Sequence, residues 1–374
     1  MECEEVLNVG ENYQKSITQR IEIGSMKTSM TKDKWSNSCI SNAISKYFDE
    51  SEKKEKSYKQ MSNTITVLGR TIMSDVAVLA IDEFVKGSCT VGVEGLRQEF
   101  VNLKDYTPSC FQYNHCATNM SKNRYKDVVC LDSTRVVLTL NVPPESDYIH
   151  ANWVKLWGVN RIFIATQDPL ECTISDFWRM IYEEEVRTIL MLSKTINSNS
   201  SKVKCAQYWP KQSGDRTKHG SLFISNTKVE KDDKFIKNTI EVLPENCSDP
   251  IKLQLIQLMD WPDYGIPQNG ISILQMLKLI HPDGPCVVHC SAGIEGTGTV
   301  ISIETCVQRL WKGYRLNIPE VLKELRECRA SSIQTEGQYI LVYLTVLYYI
   351  SAKLPKHREA VLKFHDAFKA ASLL

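Results

Sequence analysis

Apolar positions along the chain change their period twice. Residues Val76 to Val85 and Val93 to Leu103 place apolar side chains at i, i+3, i+4 and i+7, the spacing of helices with one buried face. From Val128 to about Leu258 the pattern becomes short β-rich runs, such as Val136-Val-Leu-Thr-Leu, Arg161-Ile-Phe-Ile-Ala, Thr188-Ile-Leu-Met-Leu and Ser221-Leu-Phe-Ile-Ser. Helical spacing returns at Ile271 to Ile280, Thr299 to Trp311, Pro319 to Cys328 and Gly337 to Ile350. This order predicts an α/β domain, a sheet flanked by helices. The first 70 or so residues are rich in Ser, Asn, Lys and Glu with few apolar clusters, so residues 1–75 read as an extension, part flexible and part weakly helical. Residues 353–374 read as a polar tail with one short helix. No internal repeat is present.

Composition narrows the classes. Hydrophobic residues make up 43% and charged residues 24%, values of an ordinary globular chain. The formal net charge of +1 gives no bulk electrostatic reason to bind nucleic acid or a membrane surface. Met1 to Gly10 is acidic and lacks the basic and apolar regions of a signal peptide. The apolar stretch Tyr339 to Ile350 falls well short of the ~20 residues that a bilayer needs. The 13 cysteines are scattered without a Cys-x-x-Cys pair and read as free thiols of a reducing compartment. The expectation is therefore a cytoplasmic protein without membrane insertion or nucleic-acid binding. Nothing in the sequence calls for a metal or an organic cofactor.

One segment concentrates the chemistry: Gly284-Pro-Cys-Val-Val-His289-Cys290-Ser291-Ala292-Gly293-Ile294-Glu295-Gly296-Thr297-Gly298-Thr299. It reads as a buried strand, a Gly-containing loop and a helix start. Such a loop aims backbone N–H groups at one point, and the helix N-terminus adds partial positive charge. A cysteine at the strand end has its thiol pKa lowered there, and a thiolate under an anion cradle is a nucleophile for phosphorus. The plainer alternative, a buried cysteine in a strand-to-helix turn, fits this segment alone equally well.

Further segments set it in a longer pattern. Lys122-Asn-Arg-Tyr125-Lys-Asp127-Val, Asp147-Tyr-Ile-His-Ala-Asn-Trp-Val, Phe163-Ile-Ala-Thr-Gln-Asp-Pro-Leu170, Asp176-Phe-Trp-Arg-Met180 and Lys204-Cys-Ala-Gln-Tyr-Trp-Pro210 precede it. Trp261-Pro-Asp263-Tyr-Gly-Ile-Pro267 comes next, then the Cys290 loop, then Gln334-Thr-Glu-Gly-Gln338-Tyr. In kind and order these resemble the motifs of the tyrosine-specific protein phosphatases, over roughly residues 76 to 352. The resemblance implies a highly twisted mixed β-sheet with helices on both faces. It implies that Cys290 is the nucleophile of a phosphocysteine intermediate, and that Asp263 is the general acid and later base. Gln334 and Gln338 would position the hydrolytic water, and the Thr297 hydroxyl would support the thiolate. Tyr125 would wall a slot deep enough for phosphotyrosine, and Asp127 would hold the substrate backbone. Residues Ser291 to Thr297 would form the phosphate loop.

The loop departs from that pattern at its cation. The family places an Arg six residues after the Cys, and here that position is Gly296, preceded by Glu295 in place of Gly. Thr297-Gly298-Thr299 keeps the register. An Arg grips two phosphate oxygens and stabilises the transferring group, an effect on the order of 10³ to 10⁵ in rate. A carboxylate about 6 Å from a phosphate charge, at an effective dielectric of about 20, adds roughly 3 kcal/mol of repulsion per unit charge and raises the cysteine pKa. The acid that orients that Arg in the family is also missing from Asn197-Ser-Asn-Ser-Ser-Lys-Val203. The expectation is a catalytically deficient phosphatase-like protein that binds a protein partner, tyrosine-phosphorylated or not, as a scaffold in phosphotyrosine signalling. The alternative is a weak but active tyrosine phosphatase.

Overall fold

A computed structural model of the chain describes residues 66–67, 70–71, 73–194, 205–262 and 265–371. All of them fall in the second of the two units into which the chain divides, Lys54–Leu374. A two-residue ladder pairs β1 (Thr66–Val67) with β2 (Arg70–Thr71).

The frame of the domain is one nine-stranded sheet. Its strands are β3 (Arg135–Val137), β4 (Tyr148–Val154), β5 (Phe163–Gln167), β6 (Thr188–Met191), β7 (Arg216–His219), β8 (Leu222–Lys231), β9 (Phe235–Pro244), β10 (Ile251–Leu258) and β11 (Cys286–Cys290). They lie in the order β3-β4-β5-β11-β6-β10-β9-β8-β7. The central four, β5, β11, β6 and β10, run parallel, and the flanking pairs are antiparallel. β5, β6 and β11 are buried at every position, which is why they read as unbroken apolar runs rather than as an alternation. The last strand of the sequence, β11, is thus inserted between two earlier ones. That puts its carboxyl end, Cys290, at a crevice beyond the ends of parallel strands.

Two cores cover the sheet. Cys286, Val288 and Cys290 of β11 face a core shared with α1 (Asp75–Leu103), α4 (Ile271–Leu277), α5 (Gly296–Trp311), α6 (Ile318–Cys328), α7 (Glu336–Lys353) and α8 (Arg358–Ala370). Val287 faces the other core, with Phe177, Trp178 and Ile181 of α3 (Ile174–Glu183). A short α2 (Asn114–Thr118) precedes the 3₁₀ turn that ends at Lys122. The expected helices at 76–85 and 93–103 are the two arms of α1, which meet at a kink at Gly92, whose φ of +64° and ψ of 177° are not helical. The short helix expected within 353–374 is α8, and its Val361, Phe364 and Phe368 are buried in the α1–α7 core. Each such side chain contributes roughly 1.5–3 kcal/mol when taken from water. Among the described residues no helix is long and apolar enough to cross a membrane.

Candidate functional site

The strand β11 delivers Cys290 into the crevice with only 7% of its surface exposed. Residues 291–295 then turn into α5, which begins at Gly296. Gly293 has φ +71°, and a Cβ there would stand 2.3 Å from the carbonyl carbon and oxygen of Thr166. Only glycine lets the loop lie this close to the end of β5. The Asp168 N–H donates to the carbonyls of Cys290 (2.9 Å) and Ser291 (3.2 Å), fastening the loop from the β5 side. On the other side the Ile333 N–H donates to Ile294 O at 2.9 Å.

Arg329 holds the loop from below. It is fully buried; its Nε donates to Gly293 O (3.1 Å), Nη2 to Ala292 O (3.0 Å), and Nη1 to Asn152 Oδ1 (2.7 Å). Nη2 also donates to His150 Nδ1 at 3.1 Å, and His150 Nε2 donates to Val128 O at 3.0 Å. Burial, then the Arg329 charge, holds the His150 pKa down at about 3, so this imidazole is neutral and free to accept. Arg329 thus binds two of the loop carbonyls from beneath.

The Thr297 hydroxyl donates to Cys290 Sγ at 3.3 Å. The Cys290 thiol pKa is raised above the ordinary value, the direction expected from Glu295 and opposite to that expected of the loop and helix alone. Burial is the largest cause and outweighs the two Thr297 contacts that lower it; the charges of Glu295 and Asp168 push it further up. Glu295 is half-buried at the N-cap of α5, and its side chain does not cap the helix. At Gly296 a Cβ would stand 3.1 Å from Trp261 Cζ2 and 3.2 Å from Trp261 Cη2 and Leu192 Cδ1.

The recognition segment comes to the same place. Tyr125 is 42% exposed and its hydroxyl lies 2.8 Å from Ser291 Oγ. Val128 packs against Ala292 and Ile294. Arg124 donates to the carbonyls of Asp168 and Pro169, while Gln167 exchanges bonds with Arg124 N and Lys122 O. Asp127 and Gln334 are exposed. Gln338 is buried, and its Oε1 accepts from the N–H groups of Gln334 and Thr335 in the capping box of α7. Its amide therefore shapes the turn that carries Gln334. Asp263 and the Asn197–Val203 stretch lie outside the described residues.

Sequence alone assigns no role to Arg329, His150, His289 or Asp168. His289 and Asp168 stand inside quoted motifs, and a polar residue inside an otherwise apolar strand is the available signal. Arg329 follows Cys328 at the end of a helix and carries no such mark. Among the described residues no three or more His, Cys, Asp or Glu side chains are grouped to hold a metal.

The model of the family described as "Protein-tyrosine phosphatase" matches residues 119–348. The chain belongs to that family. It is 34% identical over 291 residues to "Tyrosine-protein phosphatase non-receptor type 9" of Rattus norvegicus, covering 72% of this chain and 48% of the relative. The Homo sapiens protein of that name is 34% identical over 276 residues, with 68% and 46% covered. "Receptor-type tyrosine-protein phosphatase F" of Danio rerio is 34% identical over 256 residues, covering 67% of this chain and 13% of that protein. The chain thus spans at most about half the length of these relatives. Of the motifs that resemble the family in sequence, residues 122–128 and 163–170 meet the Cys290 loop.

Proposed function

We propose that this family member is a catalytically deficient phosphatase-like protein that serves as a binding or scaffold module in phosphotyrosine signalling, in the cytoplasm, through a protein partner. One observation carries the reading. The phosphate-loop position that would need a cation is Gly296, and its open side is lined by the Trp261 ring and Leu192 rather than by a guanidinium. A phosphoryl dianion at Cys290 would meet amides and a helix N-terminus but no bidentate grip, and it would lie near Glu295. The raised thiol pKa adds to this, because the thiol form is a poor nucleophile. Tyr125, exposed beside Ser291, is the ring against which a partner's tyrosine side chain would bind without turnover.

The hydrogen bond from Thr297 to Cys290 and the intact loop support a second reading, slow hydrolysis through a cysteinyl phosphate with Asp263 as acid. Turnover of a phosphotyrosine peptide by the full chain, with Cys290→Ser as the blank, separates the two. The first reading expects wild type at the blank level. A Cys290-dependent rate typical of enzymes, ~1–10³ per second, would overturn it.

A further inference from the structure

Beneath the loop lies a buried polar chain. Asp168 is 0% exposed and follows β5 directly. Its Oδ1 accepts from His289 Nδ1 at 2.6 Å and from Ser193 Oγ at 2.7 Å. His289 is also 0% exposed, and its Nε2 lies 2.8 Å from the Tyr208 hydroxyl. The second oxygen, Asp168 Oδ2, is buried without a nitrogen or oxygen donor among the described residues, and the Cys205 thiol is hydrogen-bonded to the carboxylate. The chain adjoins the loop twice: His289 directly precedes Cys290, and the Asp168 N–H holds the Cys290 and Ser291 carbonyls.

A carboxylate in the interior is costly even with such donors, and its field is poorly screened there. Among the described residues the groups facing it are few. His289 comes from β11, Ser193 from the end of β6, and Tyr208 and Cys205 from the segment after residue 204. The Arg124 guanidinium reaches only the carbonyls of Asp168 and Pro169. The Tyr208 hydroxyl lies at Nε2, on the side of the imidazole away from the carboxylate. The same charge acts on two thiols: it helps push Cys205 well above the ordinary thiol range and contributes to the raised value at Cys290.

We propose that Asp168 is a positioning residue of this site, a built-in anion beneath the loop that sets it against oxyanions independently of the lost cation at position 296. The inference rests on the reading of the site as a deficient phosphate loop, and it names the ligand chemistry that loop rejects. A compact oxyanion entering at Cys290 meets Glu295 at the helix N-cap and the Asp168 field from beneath. A neutral group, such as the phenol of an unmodified tyrosine, meets no such opposition.

The test uses the full chain, orthovanadate as the oxyanion probe, and alkylation of Cys290 by iodoacetamide followed by mass spectrometry across pH. Asp168→Asn should lower the pH midpoint of alkylation by about one unit and tighten vanadate binding about tenfold. Ser193→Ala removes a hydrogen bond to the same oxygen but keeps the charge, so it should not lower the midpoint; a structural role alone would make the two variants alike. Asp168→Gly, which removes the carboxylate and keeps the backbone N–H, should behave as Asp168→Asn and stands in for it if the asparagine variant does not fold. An unchanged midpoint and unchanged vanadate affinity in a folded Asp168 variant would overturn the inference, as would failure of both variants to fold, which assigns Asp168 to the fold alone. Peptide turnover by wild type, measured alongside, separates the two failures. A fast wild type defeats the deficient-loop reading, whereas a silent wild type with insensitive Asp168 variants defeats only this inference.

Discussion

The Trp261 ring stands 3.1 Å from the point where a Cβ on Gly296 would begin. A contact that short is tighter than ordinary carbon–carbon contact, so any side chain at 296 must push the indole or Leu192 aside by a few tenths of an ångström. Carbon, from the Trp261 ring and Leu192, thus lines the space in front of position 296.

Restoring the cation should therefore restore activity only in part. Gly296→Arg with Glu295→Gly returns the bidentate grip and removes the neighbouring charge, a local change of +2. The double variant should turn over a phosphotyrosine peptide at least about tenfold faster than wild type, against an effect of about 10³ or more for a fully placed guanidinium. The single change Gly296→Arg should do less, because Glu295 can capture the new side chain as an ion pair. Adding Asn199→Glu, which supplies the orienting acid that the sequence lacks, should raise the rate again. If the folded triple variant stays at its Cys290→Ser blank, the lost Arg is not what silences the site.

Stability should fall in alkaline solution. Burial raises the pKa of Cys130 and Cys306 to about 12 and of Cys328 to about 11, from an ordinary 9.0, and Cys290 is raised as well. A group whose folded pKa exceeds its unfolded value contributes stability that is complete below the unfolded pKa and is lost as pH rises through the folded one. The loss should begin near pH 9 and continue toward pH 12, since the unfolded thiols ionise first. Urea unfolding midpoints at pH 7, 8, 9 and 10 check this. A midpoint that holds level from pH 8 to 10 would refute it.

Much of this architecture is legible in the sequence, for a definite reason. β5, β6 and β11 are buried on both faces, so Phe163–Gln167, Thr188–Met191 and Cys286–Cys290 show as short runs that no solvated element would carry. α7 is apolar almost all round because it lies at the centre of the larger core. β9 and β10 do not stand out, since Lys, Asn, Thr and Gln interrupt their apolar positions and make them resemble polar connections. At the site, the glycines and Cys290 declare themselves because backbone geometry restricts the residue type. Arg329 and Asp168 do not. Their meaning depends on burial, and burial of a charged residue is fixed by partners 177 and 179 positions away for Arg329, at Asn152 and His150, and 121 away for Asp168, at His289. The direction of the Cys290 shift is legible from Glu295, but its largest cause is not: helix and loop dipoles can be read locally, whereas full desolvation cannot.

Tyr125 and Ser291 offer a direct probe of how tightly the recognition segment is tied to the loop. Their oxygens lie 2.8 Å apart near the surface. Tyr125→Phe removes this bond and keeps the ring, and should cost no more than about 1 kcal/mol of stability. Binding of a phenol-bearing peptide by the full chain should survive Tyr125→Phe and weaken severalfold or more in Tyr125→Ala, which removes the wall. Equal loss in both variants would place the importance in the hydroxyl instead.

The strongest single dependence in the site should be on Arg329. Its guanidinium is fully buried and satisfies two loop carbonyls, an asparagine oxygen and a histidine nitrogen at once. Among the described residues no carboxylate pairs with it, so its charge is held by dipoles alone, and burial lowers its pKa from the ordinary value. Arg329→Met leaves Ala292 O, Gly293 O and Asn152 Oδ1 without their buried donor, and unsatisfied groups of this kind cost about 1–3 kcal/mol each. A loss of about 3 kcal/mol or more is expected, together with a looser loop. Arg329→Lys keeps the charge but not the planar fork, so it can serve only part of the set and should also destabilise by more than about 1 kcal/mol. Arg135 provides the contrast: it pairs with Asp147 at 2.8 Å, but that carboxylate is 39% exposed, and Asp147→Asn should cost at most about 1 kcal/mol. Urea unfolding of the three variants measures the order. Hydrogen exchange at the amides of residues 291 to 296 then tells whether the loop loosens with Arg329, because a loop shaped without that side chain would keep those amides equally protected. Arg329→Met within about 1 kcal/mol of wild type, with exchange unchanged, would mean that the glycine at 293 and the Asp168 and Ile333 amides suffice to shape the loop.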